Sequence, residues 1–180
     1  DQTNPKGIYG ESKLSGEISI KSSGANYLII RTAWVFSEYG NNFLKTMLKL
    51  GSNNHELSIV GDQVGCPTYA QDIAKAIISI LPYIKSNKCT SNTFNFCGDC
   101  ACSWYEFAEA IFTESSRVGL KTPNIINSIV TKDYPTLAVR PAYSVLDCSK
   151  IKNSFNIEPS NWRNNIKNVI KKLNYSNDKI

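Results

Sequence analysis

A tyrosine and a lysine close to residue 1 are the pair of side chains in this sequence best suited to proton chemistry. Tyr9 and Lys13 stand four positions apart, so a helix would present both on one face. An ammonium group beside a phenol favours the phenolate form, which lets the pair exchange a proton with a bound molecule. Because the same spacing arises by chance in many solvent-exposed helices, the pair alone indicates this chemistry only weakly.

The elements that must position this pair alternate between helices and short β-branched runs, which is typical of an α/β fold. A helix is predicted from Tyr9 to about Lys21. The residues at 27–32 predict a strand of a parallel sheet, because they are apolar on both faces. Further strands are predicted at 57–60, 93–96 and 124–130, and further helices at 42–50, from 68, from 103 and through 166–173.

Sequence patterns also predict how some helices begin and which residues they bury. Thr68 with Gln71, and Ser103 with Glu106, have the spacing of a capping box, so each should start a helix. Apolar residues at helical spacing predict one buried stripe in the helix from 68 and another in the helix at 42–50. These stripes are Ile73, Ile77, Ile80 and Ile84 in the first, and Phe43, Met47 and Leu50 in the second. The helix from 103 should point Trp104 inward, and the last helix should have one apolar face, formed by Ile166, Val169, Ile170 and Leu173.

Composition excludes several classes of function. The net charge of +5 comes from scattered lysines, and no basic stripe alternates with aromatic residues, which argues against a nucleic-acid partner. No apolar run approaches the length of a membrane span, and the first residues do not resemble a signal peptide. We therefore predict a cytoplasmic protein with no membrane partner.

Six cysteines raise the question of metal ions and disulfides. Three of them crowd into 97–102, but a zinc site would need a second Cys or His pair at similar spacing, and the one histidine, His55, lies in a polar stretch. The ordinary apolar content and the predicted location favour reduced thiols, so we predict neither metal ligands nor disulfides. The cysteines are Cys66, Cys89, Cys97, Cys100, Cys102 and Cys148.

One common motif is missing from the sequence. No Gly-x-Gly-x-x-Gly or Gly-x-x-Gly-x-x-Gly follows a predicted strand. Such a turn cradles the phosphates of a dinucleotide. This sequence is therefore not expected to build that part of a cofactor pocket by itself.

Five stretches, taken in order, resemble the dTDP-4-dehydrorhamnose reductases, a family of extended short-chain dehydrogenases. The resemblance runs from residue 4 to about residue 173, and the stretch at 62–68 is its most specific part. The stretches are Asn4-Pro5 with 9–17, 31–36, 40–43, 62–68, and Arg140-Pro141 with 144–147.

This resemblance implies a fold and a reaction. The fold would be the C-terminal part of a doubly wound Rossmann-like sheet, mainly at 1–88, with a small α/β substrate-binding lobe, mainly at 89–180. The reaction would transfer hydride from NADPH, or NADH, to the C4 keto group of dTDP-4-dehydro-6-deoxy-L-mannose. In that family the cofactor-binding strands precede the tyrosine helix. We therefore expect a C-terminal part that is inactive alone, with a missing N-terminal half as a possible partner.

The resemblance also implies roles for single residues. Tyr9 would be the general acid, and Lys13 would hold the nicotinamide ribose, so both would touch the cofactor. Family members have been associated with Mg²⁺, but no ligands for it can be assigned in this sequence. Thr32 and Ala33 would also contact the cofactor, and the dTDP-sugar would be bound by Trp34, Asn42, Thr68 and Arg140.

Several alternatives stay open. Asn42 and Thr68 could instead serve only as helix caps, and Trp34 could be a core residue. The parent protein could instead be another nucleotide-sugar epimerase or dehydratase, although the stretch at 62–68 favours a reductase. It could also be a non-catalytic, reductase-like binding subunit. Half of a doubly wound sheet would expose an apolar edge, so self-association is expected.

Overall fold

Helices and short strands alternate along the chain in the computed structural model, which describes residues 2–86, 91–134, 136 and 140–175. A 3₁₀ turn covers Thr131–Asp133. The helices are α1 (Ile8–Ser22), α2 (Phe43–Asn53), α3 (Ala70–Lys85), α4 (Trp104–Arg117), α5 (Ser149–Phe155) and α6 (Trp162–Tyr175). The strands are β1 (Leu28–Arg31), β2 (Val35–Phe36), β3 (Glu56–Val60), β4 (Val64–Gly65), β5 (Thr68–Tyr69), β6 (Asn92–Asn95), β7 (Cys102–Ser103) and β8 (Ile125–Ile129).

The strands of the described ranges associate in pairs, and most pairs are parallel. Strand β1 pairs with β6, β2 with β5, and β3 with β8, each in parallel, whereas β4 and β7 are antiparallel. A parallel pair needs a long crossover between its strands, and helix α3 lies in the crossover from β1 to β6. The predicted α/β class and its parallel pairing are confirmed.

The larger hydrophobic core is built around aromatic rings of helix α4. Phe107 is fully buried, and its ring lies 5.4 Å from that of Phe43, 5.5 Å from that of Phe36 and 5.5 Å from that of Trp162. These contacts join α4 to α2, β2 and α6. The predicted apolar face of the last helix is confirmed, because its four residues are buried in this core: Ile166, Val169, Ile170 and Leu173.

A second, smaller core packs α3 against β6 and α5. Ile80 of α3, Phe94 of β6 and Ile151 of α5 are its buried centre. Both cores contain residues from before and after residue 88. The division into 1–88 and 89–180 stays a prediction.

One of the two predicted capping boxes is wrong. Thr68 and Tyr69 form strand β5, and helix α3 begins at Ala70 with no side-chain cap. The reason is that the Thr68 hydroxyl donates a hydrogen bond to the carbonyl oxygen of Ala33 at 2.6 Å. The other box is confirmed: the Ser103 hydroxyl accepts from the Glu106 N–H, and the Glu106 carboxylate accepts from the Ser103 N–H.

The predicted buried stripes are partly wrong. Ile77 is 43% exposed and Leu50 is 38% exposed. Helix α3 buries only Ala76 and Ile80 in the described structure, because it packs against β6 and α5 through one narrow side. The strand predicted to be buried on both faces, β1, is half-buried throughout, since β6 is its partner on one side only among the described strands.

No helix within the described ranges is long and apolar enough to cross a membrane.

Candidate functional site

Helix α1 presents the Tyr9–Lys13 pair on an open face. The Lys13 Nζ atom lies 5.4 Å from the centre of the Tyr9 ring, so the two side chains lie together as the spacing predicts. Tyr9 is 76% exposed, and α1 contains no buried residue. The phenol and the ammonium group are therefore accessible to a bound molecule.

The ends of α1 contribute little to its stability. Its N-cap residue, Gly7, is extended and provides no side-chain hydrogen bond. Glu11 in the first turn and Lys21 in the last turn have the charges that interact favourably with the helix dipole. With no buried face and no capping side chain, the helix depends on contacts to the rest of the fold for its position.

An ion pair one turn beyond Lys13 ties α1 to the rest of the fold. The Arg31 guanidinium donates from Nε and Nη2 to the two carboxylate oxygens of Glu17, both at 2.7 Å. This hydrogen bonding holds the pKa of Glu17 below its usual value and raises that of Arg31. Because Arg31 is the last residue of β1, the pair ties the helix to the carboxyl end of this strand.

The structure brings three of the predicted site residues together just beyond β1. The hydroxyl of Thr68 bonds to the Ala33 carbonyl as described above, and the Thr68 N–H donates to the Trp34 carbonyl at 3.1 Å. Thr68 is fully buried. Its side chain therefore fixes the loop after β1, whereas neighbouring Thr32 is exposed.

Trp34 has a strained backbone, and its ring stacks on another tryptophan. Its φ of 48° lies in the left-handed region, which is uncommon for a bulky residue. The indole stacks on Trp104, with ring centroids 3.4 Å apart and planes 5° from parallel. Its edge lies against Gly65, where an added Cβ would stand 2.3 Å from Trp34 Cε2. Position 65 must therefore be glycine for Trp34 to lie there.

A cavity of about 520 Å³ opens beside this tryptophan pair, which is within the usual volume of small-molecule sites. Arg140 lines this cavity with a positively charged side chain, and Trp104, Phe43 and Tyr134 contribute aromatic rings. Trp104 thus belongs both to the stack on Trp34 and to the cavity wall. Apolar residues and a few polar groups complete the lining: Thr46, Met47, Leu50, 57–60, Gln63 and Thr136.

Asn42 caps the helix that forms one wall of the cavity. Its Oδ1 accepts from the N–H of Lys45 at 3.2 Å, and its Nδ2 donates to the carbonyls of Ser37 and Tyr39 at 2.8 and 3.3 Å. These bonds fix the start of α2, from which Phe43 and Thr46 reach the cavity. Capping is therefore a role that Asn42 has in this fold.

Sequence reasoning missed two residues of the cavity. Trp104 was expected only as an inward-facing core residue. Gln63 is buried, and its Nε2 donates to the Thr131 hydroxyl at 3.1 Å. The carboxylate of Asp62 accepts from the same hydroxyl at 2.6 Å, and this bond lowers the pKa of Asp62. The position of Gln63 in the stretch at 62–68 was the available signal for this residue.

The predicted residues fall into two groups rather than one cluster. Arg140 lines the cavity, whereas Tyr9 and Lys13 are absent from its lining. The two groups are connected through β1, whose last residue anchors α1 and whose following loop carries Trp34. Among the described residues, no three His, Cys, Asp or Glu side chains are arranged to hold a metal ion.

Comparison with known proteins gives consistent results for sequence and structure. Residues 1–175 match the family described as the RmlD substrate binding domain. A dTDP-4-dehydrorhamnose reductase from Aggregatibacter actinomycetemcomitans is 44% identical over 171 residues, which are 94% of this chain and 58% of that protein. This chain therefore spans somewhat more than half the length of such relatives.

Two solved reductase structures have the same fold over nearly the whole chain. A dTDP-4-dehydrorhamnose reductase from Clostridium acetobutylicum superimposes with a TM-score of 0.83 at 36% identity, covering 97% of this chain and 58% of that one. The corresponding protein from Bacillus anthracis, in complex with NADP, gives 0.81 at 33% identity, covering 96% and 57%. Both comparisons support a doubly wound, Rossmann-like relationship for the α/β fold.

Proposed function

This chain belongs to the family of RmlD substrate-binding domains, and on that premise we propose that it carries the acid and the sugar-nucleotide cavity of an NADPH-dependent reductase. The reaction is the reduction of dTDP-4-dehydrorhamnose to dTDP-L-rhamnose. The observation that carries the proposal is the joint occurrence of the Tyr9–Lys13 pair and the Arg140 cavity in a chain 44% identical to such a reductase.

In the proposed reaction, residues of α1 carry out the proton transfer. NADPH, when bound, supplies hydride to C4 of the sugar. The Tyr9 hydroxyl donates its proton to the C4 oxygen as negative charge develops there. The Lys13 ammonium, 5.4 Å from the ring centre, stabilises the phenolate that remains. Lys13 also binds the ribose hydroxyls of the cofactor, so cofactor and acid are held by one helix face.

The residues present fit the nicotinamide end of the proposed cofactor. Ligands of open α/β sheets bind beyond the carboxyl ends of the strands, and Thr32 and Ala33 follow the carboxyl end of parallel strand β1. The sequence lacks the glycine-rich turn that would hold the cofactor's diphosphate. NADPH is preferred to NADH in this proposal because the Bacillus anthracis reductase is in complex with NADP. The proposal does not include Mg²⁺, since no group of three or more His, Cys, Asp or Glu among the described residues is arranged to hold a metal ion.

The cavity is proposed to bind the nucleotide part of the substrate. A guanidinium group can form paired hydrogen bonds with a diphosphate, which is the role assigned to Arg140. The rings of Phe43 and Trp104 provide flat apolar faces for the base, and Trp34 covers the sugar from its position on Trp104. Thr68 acts by fixing the Trp34 loop. A direct contact from Asn42 to the diphosphate stays a prediction.

Helix α1 is proposed to be covered in the active protein. Three of its isoleucines are largely exposed, namely Ile8, Ile18 and Ile20, and water around Tyr9 would weaken the proposed proton transfer. We assign the covering surface to a cofactor-binding half like that of the longer relatives, with a second copy of the chain as the alternative. We place the reaction in the cytoplasm.

The proposal is tested with the complete polypeptide that carries this chain. Supplied with NADPH and dTDP-4-dehydrorhamnose, it should consume NADPH and form dTDP-L-rhamnose. Formation of an epimerised or dehydrated sugar without net NADPH consumption would instead support the epimerase or dehydratase alternative.

The isolated 180-residue chain separates binding from catalysis. It should bind dTDP in calorimetry, and Arg140→Ala should weaken that binding, but it should not oxidise NADPH. Steady turnover by the isolated chain would contradict the assignment of the cofactor site to another part of the protein. Absence of dTDP binding, together with binding to a stable protein partner, would favour the non-catalytic subunit.

A further inference from the structure

Three buried cysteines meet at the end of β6, and none of them lines the proposed substrate cavity. Cys97, Cys66 and Cys148 all belong to the smaller core, and all three are free thiols. The Sγ atoms of Cys97 and Cys148 lie 3.6 Å apart. Cys148 is the most accessible of the three, at 7% exposed, compared with 2% for Cys66 and 0% for Cys97.

The environment of the closest two sulfurs is asymmetric. The backbone N–H of Cys97 donates to the Cys148 sulfur at 3.2 Å, and the Cys97 thiol is within reach of the same sulfur. The Cys97 sulfur lies 3.3 Å from the carbonyl oxygen of Leu146, which can only accept a proton, whereas the Cys148 sulfur lies 3.8 Å from the same oxygen. Donors around a sulfur favour the thiolate, and acceptors favour the thiol.

The acid–base properties of the pair follow from this asymmetry. Hydrogen bonding from Cys97 lowers the pKa of Cys148 to about 7, and the same contact raises the pKa of Cys97. Cys148 is therefore the nucleophile of the pair at neutral pH, and Cys97 is the thiol that can resolve a product formed on it. Cys66 also has a lowered pKa through Cys97, but it is less accessible.

The backbone already holds the two cysteines at bonding range. Asn95, the last residue of β6, donates from Nδ2 to the carbonyl of Asp147 at 3.0 Å, one residue before Cys148. The Ser160 N–H donates to the Cys97 carbonyl at 3.0 Å. The sulfurs need to approach by only about 1.5 Å to reach the length of a disulfide bond.

We propose that Cys97 and Cys148 are a redox-modification site that hydrogen peroxide converts to a disulfide. The Cys148 thiolate attacks one peroxide oxygen, the O–O bond breaks, and hydroxide leaves, so that Cys148 becomes a sulfenic acid. The Cys97 sulfur then attacks the Cys148 sulfur and displaces its oxygen as hydroxide. The proton lost by Cys97 and one from solvent convert both hydroxides to water. Two electrons pass from the two sulfurs to the peroxide, and a thiol reductant reverses the change.

The test is peptide mapping of the whole protein after peroxide treatment and alkylation of the remaining thiols. We expect one major new species, a peptide pair joined through Cys97 and Cys148, that disappears on reduction. A sulfenic-acid trap added with the peroxide should label Cys148 first. A disulfide between Cys66 and Cys97, trapping at Cys97, or full alkylation of all three thiols after peroxide would each overturn the proposal.

Matched variants sharpen this result. Cys148→Ser should abolish both the linked peptide and the sulfenic-acid label. Cys102→Ser should leave both unchanged, because Cys102 is also buried but lies in the larger core, and burial raises its pKa to about 12. Mapping of the unsubstituted protein remains decisive if Cys148→Ser does not fold. None of these measurements depends on reductase activity, so the outcome is independent of the proposed function.

Discussion

Helix α1 and helix α4 carry different parts of the proposed site, and they are held in the fold in opposite ways. Helix α4 begins with a full capping box and buries five residues, whereas α1 has no capping side chain and buries none. The chemistry is therefore assigned to a helix that buries no residue, and the Trp104 ring of the cavity wall to a helix that buries five. This difference implies that stability and catalysis can be changed separately, and the predictions below test that separation.

The largest expected effect is on the aromatic core. Phe107→Ala should lower the free energy of unfolding by roughly 3–5 kcal/mol, as for other buried aromatic residues, because Phe107 contacts rings of three other elements. Ile20→Ala in α1 is the control, and it should change that free energy by less than about 0.5 kcal/mol. Urea unfolding followed by tryptophan fluorescence measures both. Equal losses would remove the distinction between the two helices.

A pair of glycines gives the next largest contrast. Gly65→Ala should cost about 1–3 kcal/mol of unfolding free energy, the usual range for overpacking, since its Cβ would lie 2.3 Å from the Trp34 ring. Gly16→Ala in α1 meets nothing within 4 Å and should stabilise the helix by roughly 0.5–1 kcal/mol. Thermal unfolding of both variants compares them. A neutral Gly65→Ala would contradict the described packing of Trp34.

The helix starts give a smaller contrast of the same kind. Ser103→Ala removes the hydroxyl that accepts from the Glu106 N–H and keeps the backbone N–H that donates to the Glu106 carboxylate, and it should cost about 1 kcal/mol of unfolding free energy. Gly7→Ser supplies α1 with a capping hydroxyl on an already extended residue, and should gain a few tenths of a kcal/mol. Chemical unfolding measures the first, and hydrogen exchange of the α1 amides measures the second. A gain at both positions would contradict the account.

The smallest expected effect is the pH dependence of the stability of α1. Hydrogen bonds from Arg31 hold the pKa of Glu17 below its ordinary value of 4.5. The stabilisation is therefore complete above that ordinary value and is lost as the pH falls through the lowered one. Hydrogen-exchange protection of α1, corrected for intrinsic rates, should fall on acidification before that of α4.

Glu17→Gln is the matched variant for this measurement. It removes the titrating group, so α1 should then be less protected at neutral pH and should change little on acidification. Because both partners of the ion pair are partly exposed, the loss at neutral pH should be modest. An unchanged pH profile in the variant would show that other carboxylates control the helix.

The sequence was sufficient where a pattern depends on one element alone. The helix at Tyr9, the capping box of Ser103 and the apolar face of α6 were all predicted by local spacing. A parallel sheet was predicted from the apolar character of the strand at 27–32. Each of these features depends on periodicity or capping chemistry, which neighbouring residues determine.

The predictions that were wrong depend on partners distant in the sequence. The Thr68 hydroxyl bonds to Ala33, 35 positions away, so no local pattern could distinguish it from a cap. Ile77 is exposed because it lies outside the side of α3 that packs against β6 and α5. The stack of Trp34 on Trp104 joins residues on separate elements. Only the fold shows that the Trp104 ring contacts the loop after β1 and also lines the cavity.

The central claim is that Tyr9 supplies the proton while the cavity supplies binding. It is tested most directly with Tyr9→Phe in the complete polypeptide, by measuring NADPH oxidation with dTDP-4-dehydrorhamnose alongside dTDP binding. We expect kcat to fall roughly 100- to 10,000-fold, as for loss of a general acid, with dTDP affinity and unfolding free energy unchanged. A variant that retains the original kcat would contradict the assignment of Tyr9 as the acid.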